Sequence, residues 1–200
     1  TAKWQGLYDT TLSNLQARDA QYQRDKNKYM PVFDYLEALF QESDWRSIEC
    51  VDISHTMGEQ TYASCVRLEK SGLAKNAYRA YKLDTGADDY ASMRSLAKRR
   101  YEKLDASGNL PSMLLIDGGK SQLKAVQDTL SDQGLFTLPL VAITKDSQRR
   151  SGNERYFVAK PYAKTVEQVD FPPTVRRALE WIRDEAHRFA ISKHRRSRQK

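Results

Sequence analysis

Cysteine is scarce in this sequence and histidine hardly less so. The chain has two cysteines (Cys50, Cys65) and three histidines (His55, His187, His194) in 200 residues. Two thiols cannot build a disulfide framework, and a chain this long does not need one to bury a core. If residues 48–54 and 60–68 pair as a hairpin, the two thiols would face each other across it and stay free in a reducing interior. Cysteine and histidine at these scattered spacings also make no structural zinc site. No run of about 18 apolar residues occurs, so no membrane-crossing helix is expected. Thr1-Ala2-Lys3-Trp4 lacks the apolar core of a secretory leader, and a start on Thr reads as a piece of a longer chain. The reading is therefore cytoplasmic, with no membrane partner. The nine glycines never fall into G-x-x-x-x-G-K or G-x-G-x-x-G, so no nucleotide cofactor is expected. No serine, cysteine and histidine are arranged as a nucleophile triad.

What is present is the composition of a globular fold: 40% hydrophobic and 30% charged residues exclude a disordered chain. The net charge of +7 favours a polyanionic partner. Three basic clusters carry much of it: Lys98-Arg99-Arg100, the group Lys145, Arg149 and Arg150, and Lys193 to Lys200 without an acid. Each, taken alone, reads equally as a solvated helix end or a loose terminus.

Periodicity orders the chain. Residues 2–40 read as helix interrupted at Pro31, an appended arm outside the core. Residues 48–54, 60–69 and 76–83 read as three strands joined by turns at Gly58 and Ser71-Gly72, an antiparallel meander. Asp88 or Asp89 caps a helix over 90–104 with Met93, Ala97, Tyr101 and Leu104 on one face. Residues 111–117 are a continuous apolar run ending in an acid, the pattern of a strand buried on both faces. Gly118-Gly119 leads into a helix over 120–132, stopped at Gly134. Another apolar strand covers 138–144. Residues 145–170 read as loop with a short hairpin near Tyr156-Phe157-Val158. Pro172-Pro173 opens a last helix with Val175, Leu179, Ile182, Ala186 and Phe189 on its apolar face.

The chemistry concentrates at three positions. Asp52 lies inside the first strand between Val51 and Ile53, where a carboxylate is expensive to bury unless paired or bound to metal. Asp117 ends the apolar strand, at the edge where open α/β sheets collect ligands. The order predicts these strands as neighbours, so the two acids would meet. A divalent cation relieves the repulsion between such acids, and a pair holding Mg²⁺ or Mn²⁺ can assist phosphodiester hydrolysis. Singly, Asp52 also reads as a strand-edge acid bonded to a turn, and Asp117 as a helix cap. His187 borders the apolar stripe of the last helix with Glu180 and Asp184 nearby; such a histidine is more often a satisfied surface or core residue. Lys120, at a helix N-terminus, is placed to meet a phosphate, or is an ordinary solvated lysine. Lys145, Arg149 and Arg150 are further candidates for DNA contact.

The order β-β-β-α-β-α-β-α matches the ribonuclease-H fold: an α/β mixed sheet with three antiparallel strands followed by parallel βαβα units. Residues 1–44 read as the arm, 45–192 as the domain and 193–200 as a basic tail. Several stretches resemble the C-terminal endonuclease domain of the UvrC family: 48–60 (IECVDISHTMGEQ), 63–66 (ASCV), 88–93 (DDYASM), 115–123 (LIDGGKSQL) and 182–187 (IRDEAH). The resemblance implies an Asp-Asp-His set at Asp52, Asp117 and His187, with Mg²⁺ or Mn²⁺. It implies incision 5′ to a lesion in nucleotide excision repair, on damaged double-stranded DNA carrying the helicase-like UvrB subunit. Residues 142–147 (AITKDS) depart from the glycine-bounded strand end usual in that family, and 149–152 (RRSG) match its basic loop only in part. Nothing resembles the family's N-terminal nuclease half, and its tandem helix-hairpin-helix module would lie beyond Lys200. The chain alone should bind DNA weakly. A catalytically silent DNA-binding or docking module of the same fold is the alternative, and alanine at Asp52 separates the two.

Overall fold

The computed structural model describes residues 10–21, 28–55, 61–83, 88–145 and 154–197; for His55, Asp89, Tyr90, Lys145 and 193–197 it describes the backbone alone. Residues 10–21 are helical (α1). There follow α2 (Met30–Phe40), β1 (Ser47–His55), β2 (Thr61–Glu69), β3 (Gly72–Leu73), a 3₁₀ turn (Lys75–Ala77) and β4 (Arg79–Leu83). The second half contains α3 (Asp89–Ala106), β5 (Met113–Asp117), α4 (Lys120–Asp132), β6 (Leu140–Lys145), β7 (Glu154–Ala159), β8 (Glu167–Val169) and α5 (Pro173–Ser197).

One sheet holds all eight strands in the order β3-β2-β1-β5-β6-β7-β8, with β4 also on β2. β1, β5 and β6 run parallel, while the flanking strands are antiparallel. The expected mixed sheet is thus present, and β1 is the neighbour of β5. The third meander strand differs from the expectation over 76–83. Its start is taken by the 3₁₀ turn, leaving β4, while the expected turn at Ser71-Gly72 holds the short β3; β3 and β4 pair with opposite ends of β2. A second difference concerns 145–170. β7 pairs along the whole of β6 and carries β8 on its far side, so this stretch extends the sheet. Its pattern was unreadable because Tyr156 and Val158 face one core while Phe157 and Ala159 face the other.

Side-chain alternation along each strand feeds two cores. On one face Ile48, Cys50, Met113 and Leu115 pack under α2 and α5, against Phe33, Leu36, Leu179, Ile182 and Ala186. On the other Val51, Cys65, Leu114 and Ile116 pack under α3 and α4, against Leu96, Tyr101, Leu123 and Val126. Helix α2 is therefore part of the core, not an arm: Pro31 sits in its first turn, where a proline is tolerated, and Val32, Phe33, Leu36 and Phe40 are buried. The cysteines are both free and buried. They do not face each other, because the register pairs Cys50 with Val66 and Val51 with Cys65, and this one-residue offset sends the thiols to opposite cores.

In the cluster Lys98-Arg99-Arg100 the first two residues are exposed, but the third is not. Arg100 is 5% exposed, and its guanidinium donates to Glu49 through Nε (2.6 Å) and Nη2 (2.5 Å) and to Tyr81 Oη through Nη1 (3.0 Å). Arg99 donates to the Lys82 carbonyl at 2.9 Å. The helix boundaries follow their caps: Asp88 accepts the Ala91 N–H at 3.0 Å, and Gly134, at φ 77°, turns the chain after α4.

Candidate active site

The parallel register pairs Val51 with Ile116. One residue further along each strand stand Asp52 and Asp117, both at the carboxyl edge of the sheet. Each shares its face with residues packed under α5: Cys50 precedes Asp52 by two, and Leu115 precedes Asp117 by two. The two acids therefore point to the same side, towards the helix that carries His187. Asp52 is 5% exposed, whereas Asp117 is half-buried.

His187 comes from α5, one turn after the core residue Arg183 and next to the buried Ala186. Its imidazole is 62% exposed, and Nδ1 lies 3.8 Å from Asp52 Oδ1, a charge contact longer than a hydrogen bond. The acids nearest to it in sequence turn elsewhere. Glu180 accepts from Tyr156 Oη at 2.8 Å, Asp184 from Arg183, and Glu185 from Tyr78 Oη and Arg188. The carboxylate that meets His187 comes from β1.

Asp52 Oδ2 is buried and has no hydrogen-bond partner. Burial holds this carboxyl above the usual carboxylate range, the Asp117 charge pushes the same way, and His187 opposes both. An acid desolvated beside another acid, with an oxygen unpartnered, is short of positive charge. A divalent cation fits that deficit and that oxygen donor set. Among the described residues, however, no group of three or more His, Cys, Asp or Glu stands gathered as a ready metal cage. The two carboxylates are in place, and the histidine stands beside one of them.

Two further residues shape this edge. Gln122 reaches back from the first turn of α4 to accept the Gly119 N–H at 2.9 Å. Its carboxamide crosses Gly118 so closely that a Cβ there would lie 2.0 Å from Oε1. A side chain at Gly118 would therefore push the Gln122 carboxamide off the Gly119 N–H, so this glycine goes with the cap that follows Asp117. The spacing of Gln122 from Gly119 is a legible capping signal that sequence reasoning did not use. Arg183, counted only as a neighbour of His187, is 6% exposed and donates to Asp184 Oδ1 through Nε (3.0 Å) and Nη2 (2.8 Å). Its Nη1 is 3.6 Å from Glu154 Oε1 and makes no hydrogen bond. Its charge is felt at Asp117, where it offsets part of the acidity of the edge.

Of the proposed DNA contacts, Lys120 is exposed at the start of α4, three residues past Asp117. Lys145 ends β6, with only its backbone described; Arg149 and Arg150 lie outside the described residues.

Strand-end carboxylates on adjacent parallel strands, under a helix laid across a mixed sheet, define a ribonuclease-H-like fold. Residues 37–191 match the model of the UvrC RNAse H endonuclease domain, and the chain belongs to that family. It is 43% identical over 167 residues to the UvrABC system protein C of Methylobacillus flagellatus, covering 82% of this chain and 28% of that protein. It is 38% identical over 194 residues to the same-named protein of Xanthomonas campestris pv. campestris, covering 96% of this chain and 30% of that one. The chain thus spans under a third of the length of the curated relatives it matches. Among solved structures it is similar to the catalytic domain of human Endonuclease V, at 13% identity and a TM-score of 0.43, over 75% of this chain and 85% of that one.

Proposed function

We propose that this domain hydrolyses a phosphodiester of damaged double-stranded DNA, 5′ to the lesion, within the excision-repair assembly that its family relatives are named for. The substrate reaches it as DNA carrying the UvrB subunit, in the cytoplasm. The observation that carries the chemistry is the buried, unpartnered Oδ2 of Asp52 beside the Asp117 carboxylate.

In this reading Asp52 and Asp117 hold Mg²⁺ or Mn²⁺, with His187 at its border. A divalent cation so held supplies Lewis-acid stabilisation of charge on the phosphodiester oxygens. The protein's own groups do the rest. The apolar floor under Asp52 keeps water from solvating that carboxylate in place of a cation. Arg183 offsets part of the negative charge of the edge at Asp117. The exposed imidazole of His187 either completes the ligand set or takes the proton of the attacking water. Lys120, together with Lys145, Arg149 and Arg150, neutralises DNA phosphates and makes binding salt-dependent.

The test is cleavage of a bubble-containing duplex, free and loaded with UvrB, in Mn²⁺, Mg²⁺ or EDTA. The expected result is metal-dependent cutting that Asp117→Ala and Asp52→Ala abolish without loss of DNA binding. The second reading, a silent docking module, is favoured by the absence of a gathered three-residue cage among the described residues. It wins if UvrB-loaded DNA stays intact and calorimetry detects no Mn²⁺ binding that Asp52→Ala removes.

A further inference from the structure

At the end of the sheet opposite Asp52 and Asp117 lies a second surface with a different chemistry. A cavity of about 270 Å³ opens where β6 begins and β7 ends. Its floor is aliphatic, formed by Leu130, Leu135, Leu138 and Leu140. Its mouth is flanked by two exposed aromatic rings, Phe136 (48% exposed) and Tyr162 (72% exposed), with centroids 5.4 Å apart. Rings of that size left in water beside an unfilled apolar hollow are the usual mark of a binding site.

The backbone holds the two rings side by side at this mouth. Tyr162 sits at φ 60°, a left-handed conformation that a bulky side chain rarely adopts. Two hydrogen bonds fix it there: Tyr162 N–H to the Phe136 carbonyl (3.0 Å) and Ala163 N–H to the Lys160 carbonyl (3.1 Å). The carboxamide of Gln127 braces the loop from α4, donating to the Ala163 carbonyl at 2.7 Å.

The charged residues that line it have one sign. Lys160 and Lys164 line the cavity, both exposed, and no carboxylate does. A nucleobase fits this lining poorly, since its polar edge would be buried against aliphatic side chains, and the Gln127 amide is already engaged. An apolar side chain carried on an acidic strand of protein satisfies both features. We propose that this cavity is a docking site for an acidic segment of a partner protein that lays one bulky apolar side chain over the aliphatic floor and against the rings of Phe136 and Tyr162. The site is independent of the nuclease chemistry and stands whether or not the carboxylate edge cuts DNA. A partner held there leaves the catalytic edge open.

The experiment uses an array of short peptides with Asp and Glu flanks and a varied central residue, alongside copies with Lys flanks and a single-stranded oligonucleotide. Binding to the whole chain is followed by fluorescence anisotropy. The expected result is saturable binding of acidic peptides with central Phe, Leu or Trp. Central Ala or Lys flanks should weaken it at least tenfold. Phe136→Glu should abolish it, and the paired Lys160→Glu and Lys164→Glu, both at exposed positions, should weaken it at least tenfold. Nuclease activity should be unchanged in all of these variants. The proposal is overturned if no acidic peptide binds better than its Lys-flanked copy. It is equally overturned if binding survives both sets of substitutions, or if only the oligonucleotide competes for the cavity.

Discussion

Strand β1 carries two buried carboxylates three residues apart, and they have opposite fates. Glu49 faces the α3–α4 core and is completely buried, with both oxygens saturated. Oε1 accepts from Arg100 Nε (2.6 Å) and Tyr101 Oη (2.7 Å); Oε2 accepts from Arg100 Nη2 (2.5 Å) and Arg67 Nη2 (3.2 Å). Asp52 faces the α5 side with one oxygen unpartnered and another acid beside it. A buried acid whose lone pairs are all taken by protein donors is part of the fold. One whose lone pairs are left empty has an open place for something else. The difference lies mainly in the donors each face offers, since both acids stand on one strand and both are buried.

The largest effect should separate the two acids by activity and stability at once. Asp52→Asn should drop cutting of UvrB-loaded DNA to background while leaving the urea midpoint in EDTA unchanged or higher, since it removes a desolvated charge from a like-charged neighbour. Glu49→Gln should do the reverse. Folded protein should keep its specific activity, but stability should fall by about 3–5 kcal/mol, because Arg100 is left buried without its counter-charge. Equal loss of stability in both variants would break the comparison.

A double substitution sharpens it. Glu49→Met with Arg100→Met removes both charges and leaves an apolar filling of similar length. The pair should be more stable than Glu49→Met alone by about 2 kcal/mol or more, measured by urea unfolding. If the double variant is the worse, the network has a role beyond neutralising itself.

How much of this was readable in the sequence follows from the same contrast. Asp52 was legible because strand formers flank it and a second acid ends the next apolar run; the parallel register then brought them together. Glu49 was illegible. Its partners Arg100 and Tyr101 lie 51 and 52 positions away, and Arg100 stood in a basic run that looked solvated. His187 needed the family resemblance, because its carboxylate partner is on strand β1, far away in sequence, and the acids next to it on its helix turn elsewhere. Helix α2 passed for an arm because its apolar residues cluster after a proline, and nothing local says what they pack against. β7 was legible only as a short hairpin near Tyr156-Phe157-Val158; its place along the whole of β6 was not, because both of its faces are covered and it lacks alternation.

A smaller effect should appear at Gly118. Alanine there meets Gln122 Oε1 and displaces the cap of α4, costing about 1 kcal/mol. Because the same turn orients Asp117, cutting should fall more than that loss of stability explains. A Gly118→Ala, Gln122→Ala double variant clears the clash, and should recover part of the activity while remaining less stable.

The smallest effect tests whether Glu49 has donors to spare. The bond from Arg67 is the longest of the four at 3.2 Å, and the same Nη2 is shared with the Asn109 carbonyl at 3.2 Å. Arg67→Met should therefore cost about 1 kcal/mol, at the low end for a hydrogen bond to a charged group, with no change in cutting. Tyr101→Phe removes a 2.7 Å bond from a fully buried hydroxyl and should cost more, about 2 kcal/mol. The order Tyr101 above Arg67 in thermal or urea midpoints is what a saturated carboxylate requires. If Arg67→Met proved the more damaging, its long aliphatic stem would be holding the β1–β2 pair by packing. Glu49 would then be an acid that the fold tolerates, and Asp52 would no longer be exceptional on its strand.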